Sequence, residues 1–100
     1  MCDQYNGWTN RETWATKLHL DNDEALNEYA WEYARANANA YELGETLKNW
    51  IEDDLLTLEN IAGNRGLYLM LTDIGSLYRV NWQEIAQTYA EELAREEANA

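Results

Sequence analysis

The chain is nearly free of the residues that break helices, and it has almost none of the valine that is typical of extended sheets. It contains no proline, five glycines and a single valine, Val80. Sheets favour β-branched residues and need closely spaced turns, whereas Ala, Leu and Glu favour helix. The length of 100 residues, 46% of them hydrophobic, suits one domain with one core. The sequence therefore predicts an all-α fold, a compact single-domain bundle of four or five helices spanning 1–100.

Capping boxes predict where three helices begin. In a capping box, an N-cap side chain and a Glu three residues later bind each other's free backbone N–H groups. Three pairs fit this pattern: Thr9 with Glu12, Asp21 with Glu24, and Asn81 with Glu84. We expect helices over about 10–20, 22–38, 41–59 and 67–78, and a fifth that begins after Asn81. Residues 1–8 are expected to form an entry loop and 95–100 a frayed tail.

The fourth predicted helix, LYLMLTDIGSLY, is the most uniformly apolar segment of the chain. An apolar segment without a polar face is typical of a buried element. We therefore expect it to be the central helix of the bundle.

Tryptophan and tyrosine take the place of phenylalanine, which is absent. We expect Trp14, Trp50 and Trp82 in the core, because the chain has no other large aromatic residues than Trp and Tyr. Trp8 and Trp31 could instead anchor a partner, since tryptophan is a frequent hot-spot residue at interfaces. The segment YNGWTNRETW is interpreted as a clasp that closes the core, with a binding loop as the alternative.

The charge is strongly negative, with 19 acidic against 7 basic residues and a net charge of −12. Such a surface repels nucleic acid and anionic membranes and attracts basic proteins. No apolar run reaches the roughly 20 residues of a membrane span. One cysteine, Cys2, cannot form an internal disulfide, and the N-terminus shows no signal-peptide pattern. We expect a cytoplasmic protein that contacts neither membranes nor nucleic acid directly.

Catalytic and metal-binding patterns are weak. A nucleophilic pair would have to combine Cys2 with His19, the only histidine. The segment HLDND, 19–23, lacks the glycine of a calcium loop and has too few His and Cys for zinc. We therefore expect no catalytic residue, metal or cofactor. Adjacent carboxylates, such as Asp53 and Asp54, leave a small carboxylate-dependent enzyme as an alternative.

Acidic residues recur regularly on the second predicted helix. Glu24, Glu28 and Glu32 are four residues apart, which places them about 6 Å apart along one face. A row of carboxylates can imitate the charge of a DNA strand coarsely, since each strand carries one charge per about 3.4 Å. A simple solvated face that keeps the protein soluble is the alternative.

The segments YNGWTN (5–10), ETW (12–14) and LDNDE (20–24) resemble a motif of small phage, plasmid and prophage proteins, written YNGWTN-x-ETW followed by L-x-NDE. In length, acidity and helical content the whole chain also resembles the small anti-CRISPR proteins of Pseudomonas mobile elements that act on type I systems, the I-F subtype in particular.

This resemblance implies a monomeric inhibitor in the bacterial host cytoplasm. It would bind the Cas proteins of a crRNA-guided type I surveillance complex and block their basic DNA-binding surface without catalysis. The alternative is an acidic phage-encoded adaptor that binds another basic host protein. Under the inhibitor hypothesis, the partner-binding residues are seven acids: Asp21, Asp23, Glu24, Glu28, Glu32, Asp53 and Asp54.

Overall fold

The computed structural model describes residues 6–37 and 39–98. This part of the chain forms α-helices without a β-strand, which confirms the predicted all-α single-domain bundle. The described helices are α1 (Arg11–Asn22), α2 (Glu24–Ala36), α3 (Ala40–Asn49), α4 (Leu58–Gly63), α5 (Arg65–Ile74) and α6 (Trp82–Ala98). A π-helix, Trp50–Leu55, continues α3, and a 3₁₀ turn, Leu77–Arg79, precedes α6. The described residues thus form six α-helices, where four or five were expected.

The core lies between α3 and α6, with α1 and α2 packed against this pair. A Cβ at Gly44 would clash with the side-chain amide of Gln83, so this glycine leaves room for the close approach of that side chain from α6. Trp50 and Trp82 are buried as predicted, whereas Trp14 is half-buried against the core. The buried apolar side chains are Ala15, Leu20, Leu26, Ala30, Ala34, Leu43, Leu47, Trp50, Ile51, Leu56, Met70, Ile74, Val80, Trp82, Ile85, Ala86 and Tyr89.

Trp31 lies off the apolar stripe of α2, which consists of Leu26, Tyr29, Ala30, Tyr33 and Ala34. It packs against a second neighbour. Its ring meets Tyr89 of α6 edge-on, with ring centroids 4.7 Å apart. Lys17 of α1 places its ammonium 4.8 Å from the Tyr89 ring. Burial raises the pKa of the Tyr89 hydroxyl. Trp31 is therefore a half-buried packing residue that joins α2 to α6.

Two predicted N-caps are wrong by one or two residues. Asn10, not Thr9, caps α1, because its side-chain oxygen accepts the N–H of Thr13. Asp23, not Asp21, caps α2. Asparagine and aspartate are at least as good as threonine at an N-cap, so neighbouring candidates compete.

The third capping box is confirmed in part. Asn81 accepts the N–H of Glu84 at 3.1 Å, and α6 begins at Trp82. The Glu84 carboxylate does not return to Asn81 but binds the N–H of Thr9. Glu84 thus binds the distant N–H of Thr9 in place of the N–H of Asn81 that a capping box would use.

The predicted helix over 41–59 is wrong beyond Asn49. The N–H of Leu56 bonds to the carbonyl of Ile51, five residues back, as in a π-helix. The side chain of Asn60 then donates to the carbonyls of Asp54 and Leu55, which ends the π-helix before α4 begins.

The helix predicted over 67–78 is present in part, but its end and its central position are wrong. The observed helix α5 lies at the edge of the bundle and ends at Ile74. Only Met70 and Ile74 are fully buried in α5, while Tyr68 and Leu69 are about half exposed. The central position belongs to α6, which continues as a helix to Ala98, beyond the predicted start of a frayed tail.

The N-terminal motif holds the start of α1 against the start of α6. Asn6 and Gly7 have positive φ angles of 49° and 89°, so the chain turns before Trp8, which packs half-buried against the core. The N–H of Thr9 donates to the Glu84 carboxylate at 3.0 Å. These contacts support the interpretation of the motif as a clasp.

A buried threonine completes this clasp. The Thr13 hydroxyl donates to Asn10 at 2.7 Å and accepts the N–H of Asn81 at 2.9 Å. The Asn10 amide also donates to the carbonyl of Arg79 at 2.8 Å. Both Thr13 and Asn10 are buried. The polar residues of the motif are therefore bound to the segment that leads into α6.

A charged cluster ties α1 to the end of α5. The guanidinium of Arg11 and the imidazole of His19 both lie 2.9 Å from the carboxylate of Asp73. The hydrogen bond with His19 is the main reason why the pKa of Asp73 is lowered, and Arg11 adds to the effect. His19 thus has a structural partner.

Candidate functional site

The acidic row on α2 is exposed along its whole length. Glu24, Glu28 and Glu32 are exposed, whereas Leu26 and Ala30 on the opposite face are buried. Because α2 is a regular helix, the three carboxylates lie on one face at intervals of about 6 Å. We call these three residues the acidic stripe.

The π-helix carries two further exposed acids, Asp53 and Asp54. Aromatic contacts link this segment to α2. The ring of Trp50, the first residue of the π-helix, lies 6.0 Å from Tyr29 and 5.2 Å from Tyr33, between ring centroids. The acidic stripe and the π-helix therefore belong to neighbouring, mutually packed elements, and the acidic surface is defined here as Glu24, Glu28, Glu32, Asp53 and Asp54.

Hydrogen bonding fixes the backbone beneath the acidic surface. Glu52, between Trp50 and Asp53, accepts the indole N–H of Trp82 at 3.2 Å. At the other end, Asn60 binds the last carbonyls of the π-helix. These contacts hold Asp53 and Asp54 in a defined backbone position.

The other two predicted partner-binding acids have structural contacts. Asp21 lies in the last turns of α1, where its carboxylate is 2.6 Å from the ammonium of Lys17. Asp23 accepts the N–H of Leu26 as the N-cap of α2. These two acids therefore have structural roles that the acids of the acidic surface do not have, although their side chains remain exposed.

The acids of the acidic surface form no ion pair within the described ranges. The ion-paired basic residues lie elsewhere and bind other acids: Arg11 with Asp73, Lys17 with Asp21, Arg79 with Glu12, and Arg95 with Glu92. Exposed carboxylates are ionised at neutral pH. The acidic surface thus presents uncompensated negative charge to solvent.

One aromatic residue of this region is more exposed than its spacing along α2 would suggest. Tyr29 belongs to the apolar stripe of α2 by its spacing, yet it is 53% exposed. It lies at the edge of that stripe, next to Glu28 in the chain, and packs one side on Trp50. In the sequence, only its position at the boundary between the apolar and acidic faces of α2 indicates that Tyr29 would be exposed.

The residues considered for other chemistry are engaged or outside the described ranges. Cys2 lies outside them, and His19 is bound to Asp73. Asp21 and Asp23 of the HLDND segment are bound to Lys17 and to a backbone N–H. No group of three or more potential metal ligands comes together in residues 6–37 and 39–98. Among the same residues, no helix combines the length and apolarity needed to cross a membrane.

The fold and the exposed carboxylates define a small, acidic, all-α protein. The chain belongs to a family described as "Family of unknown function (DUF7249)", whose model matches residues 1–99. No curated protein and no solved structure matches the chain.

Proposed function

We propose that this protein is an anti-CRISPR inhibitor that competes with DNA for the basic surface of a crRNA-guided type I surveillance complex. It binds the Lys- and Arg-lined surface of the Cas proteins in the host cytoplasm and forms no contact with nucleic acid. Inhibition is stoichiometric and needs no cofactor. Asp23 adds charge next to the acidic surface in the chain, whereas the charge of Asp21 is paired with Lys17.

The observation that supports this proposal is the uncompensated charge of the acidic surface. Like charges four residues apart destabilise a helix by a few tenths of a kcal/mol per pair. Within the stripe of Glu24, Glu28 and Glu32, no internal ion pair among the described residues offsets this repulsion. A basic partner would supply the missing counter-charges.

The charge density of the stripe sets what kind of mimicry is physically reasonable. One carboxylate per about 6 Å is roughly half the density of a single DNA strand, which has one phosphate per about 3.4 Å. The acidic surface thus reproduces the sign and the linear form of the field of DNA, and not its strength. We expect association that is fast at low salt and slows as ionic strength rises.

Tyr29 adds an aromatic contact to those of the carboxylates. Its ring is held against Trp50 and its exposed part lies beside the stripe. An aromatic ring of this kind can stack on an arginine guanidinium while a neighbouring carboxylate pairs with the same group. Arginine-rich surfaces that bind DNA offer this chemistry.

The sequence resemblance supplies the choice of partner. The N-terminal motif that carries part of this resemblance packs against the start of α6, and we place the partner surface on the acidic surface instead. The same acidic surface suits another basic host protein, and this adaptor function is the second candidate.

Purified type I surveillance complex provides the test. Binding of the wild-type protein is compared with the variant Glu28→Gln/Glu32→Gln and with the control Glu45→Gln/Glu91→Gln. Both double variants remove two exposed negative charges, so they differ only in location. If each lost pair contributes about 0.5–1 kcal/mol, the first variant should bind about five- to thirtyfold more weakly, and the control should change binding by less than about threefold.

Three outcomes would contradict the proposal. Equal weakening by both variants would show that only net charge matters. Failure of the wild-type protein to bind the complex, together with binding to a different basic protein, would favour the adaptor. Binding that is insensitive to salt would remove the electrostatic argument altogether.

A further inference from the structure

A second surface lies at the opposite end of α2 from its N-cap. There a groove of about 650 Å³ runs between the C-terminal half of α6 and the turn that joins α2 to α3. This volume falls within the range of about 300–1,000 Å³ that is usual for binding clefts. The floor of the groove is apolar and consists of Ala34, Leu43, Ala90, Leu93 and Ala94.

The groove exists because the apolar face of α6 extends past its packing partners. Ile85, Ala86 and Tyr89 on this face are buried. One turn further on, Leu93 is only partly buried, and Ala94 is exposed. The end of α6 thus presents apolar side chains that no described residue covers fully.

Asn37 and Asn39 form one wall of the groove and are held by side-chain hydrogen bonds. The Asn37 amide donates to the carbonyl of Tyr33 at 2.7 Å and accepts the Thr46 hydroxyl at 3.1 Å. Asn39 caps α3 by accepting the N–H of Glu42. Both asparagines line the groove, so this wall is preorganised.

The charges at the rim are mainly negative. Glu96 and Glu97 are exposed at the end of α6 and form no ion pair in the described part of the chain. Arg35 also lines the groove, but its guanidinium lies over the ring of Trp31, 5.5 Å from the centroid. An occupant of the groove therefore meets an apolar floor and two free carboxylates.

We propose that this groove binds an amphipathic helix of a protein partner. Its apolar residues, spaced i, i+3, i+4 and i+7, would contact the floor, and its Lys or Arg residues would pair with Glu96 and Glu97. A second copy of the chain is a poor occupant, because both copies carry a net charge of −12. The groove shares no residue with the acidic surface, so the inference does not rest on the proposed function.

The test uses a designed helical peptide of about 14 residues, with leucines at i, i+3, i+4 and i+7 and lysines elsewhere. It is titrated at physiological salt into ¹⁵N-labelled full-length protein and followed by NMR. Chemical-shift changes should concentrate at Leu43, Ala90 and Leu93. A matched peptide with glutamates in place of the lysines should bind at least about tenfold more weakly, since two ion pairs become two repulsions.

Two variants and their controls locate the binding. Ala94→Trp places a large ring in the groove from an exposed position. Its control, Ala62→Trp, adds the same ring at an exposed position on α4, outside the groove. Glu96→Gln/Glu97→Gln removes the rim charge, and Glu45→Gln/Glu91→Gln serves as its equal-charge control. Only Ala94→Trp and the Glu96/Glu97 variant should weaken binding of the lysine peptide, each by about three- to tenfold.

The proposal is overturned if Ala94→Trp binds the lysine peptide as tightly as the wild type. It is equally overturned if the shift changes map to the acidic surface, or if both peptides bind alike. None of these results depends on whether the protein binds a surveillance complex, so the two proposals fail separately.

Discussion

Replacing Thr13 with valine tests the account of the N-terminal clasp most sharply. The substitution keeps the shape and burial of the side chain and removes only its hydroxyl. In the structure this hydroxyl donates to Asn10 and accepts the N–H of Asn81, and the residue is fully buried. Two hydrogen bonds therefore disappear, and the backbone donor at Asn81 loses its partner.

The expected cost follows from these two bonds. A typical internal hydrogen bond contributes about 1 kcal/mol, and a donor left without a partner adds to the loss. We expect Thr13→Val to lower the free energy of unfolding by about 2–3 kcal/mol. In a domain of this size each kcal/mol corresponds to a shift in Tm of about 4–8 °C, so Tm should fall by about 10–20 °C.

Thr16→Val is the matched control. Thr16 lies on the same helix and is also fully buried, but its hydroxyl bonds only to the carbonyl of Glu12, one turn back. That carbonyl is part of the helix backbone. Losing the hydrogen bond from the Thr16 hydroxyl should therefore cost about 1 kcal/mol or less. Urea denaturation followed by circular dichroism measures both variants. Equal costs, or a Thr13→Val cost below about 1 kcal/mol, would refute the clasp as described.

Three further predictions concern stability. Trp8→Ala should lower the free energy of unfolding by about 2–3 kcal/mol, because the ring packs half-buried on the core; unchanged stability with lost partner binding would instead make the loop a binding element. The lowered pKa of Asp73 means that its carboxylate stabilises the fold above the unfolded pKa of about 4, and this stability is lost as pH falls through the folded value. Asp73→Asn should therefore be less stable than wild type at pH 7 by urea denaturation, and the difference should vanish near pH 2; an equal difference at both would contradict the pairing with His19. Gly44→Ala should change stability little alone, but should stabilise by about 1 kcal/mol in a Gln83→Ala background, where the clash is gone; a thermal melt showing no difference between backgrounds would contradict the close approach.

Features set by local chemistry were predictable from the sequence. The missing proline and the single valine indicate helices, and the buried stripe of α6 follows from its spacing. The Asn81 cap was also found correctly, because no neighbouring residue competes for that position. The common exposed face of Glu24, Glu28 and Glu32 could also be predicted, because helical periodicity alone places residues four apart on one face.

Features set by distant contacts were not predictable. Thr9 looks like an N-cap, but its N–H is bound by a carboxylate 75 residues away in the chain. The apolar seam of α3 continues past Trp50 in the sequence, yet hydrogen bonds from Trp82 and Asn60 accompany a π-helix there. The uniformly apolar α5 lies at the edge, because hydrophobicity does not specify which helix is central. The groove beside Leu93 depends on where α2 ends relative to α6, which no local pattern encodes.

The central claim is competition with DNA, and a titration measures it directly. Purified type I surveillance complex is preincubated with the protein at increasing concentration, fluorescently labelled target DNA is then added, and its anisotropy is measured. The account predicts that complexes preincubated with the protein fail to bind DNA, with an apparent inhibition that weakens as salt increases. Stable binding of the protein to the complex with DNA binding unchanged would contradict it.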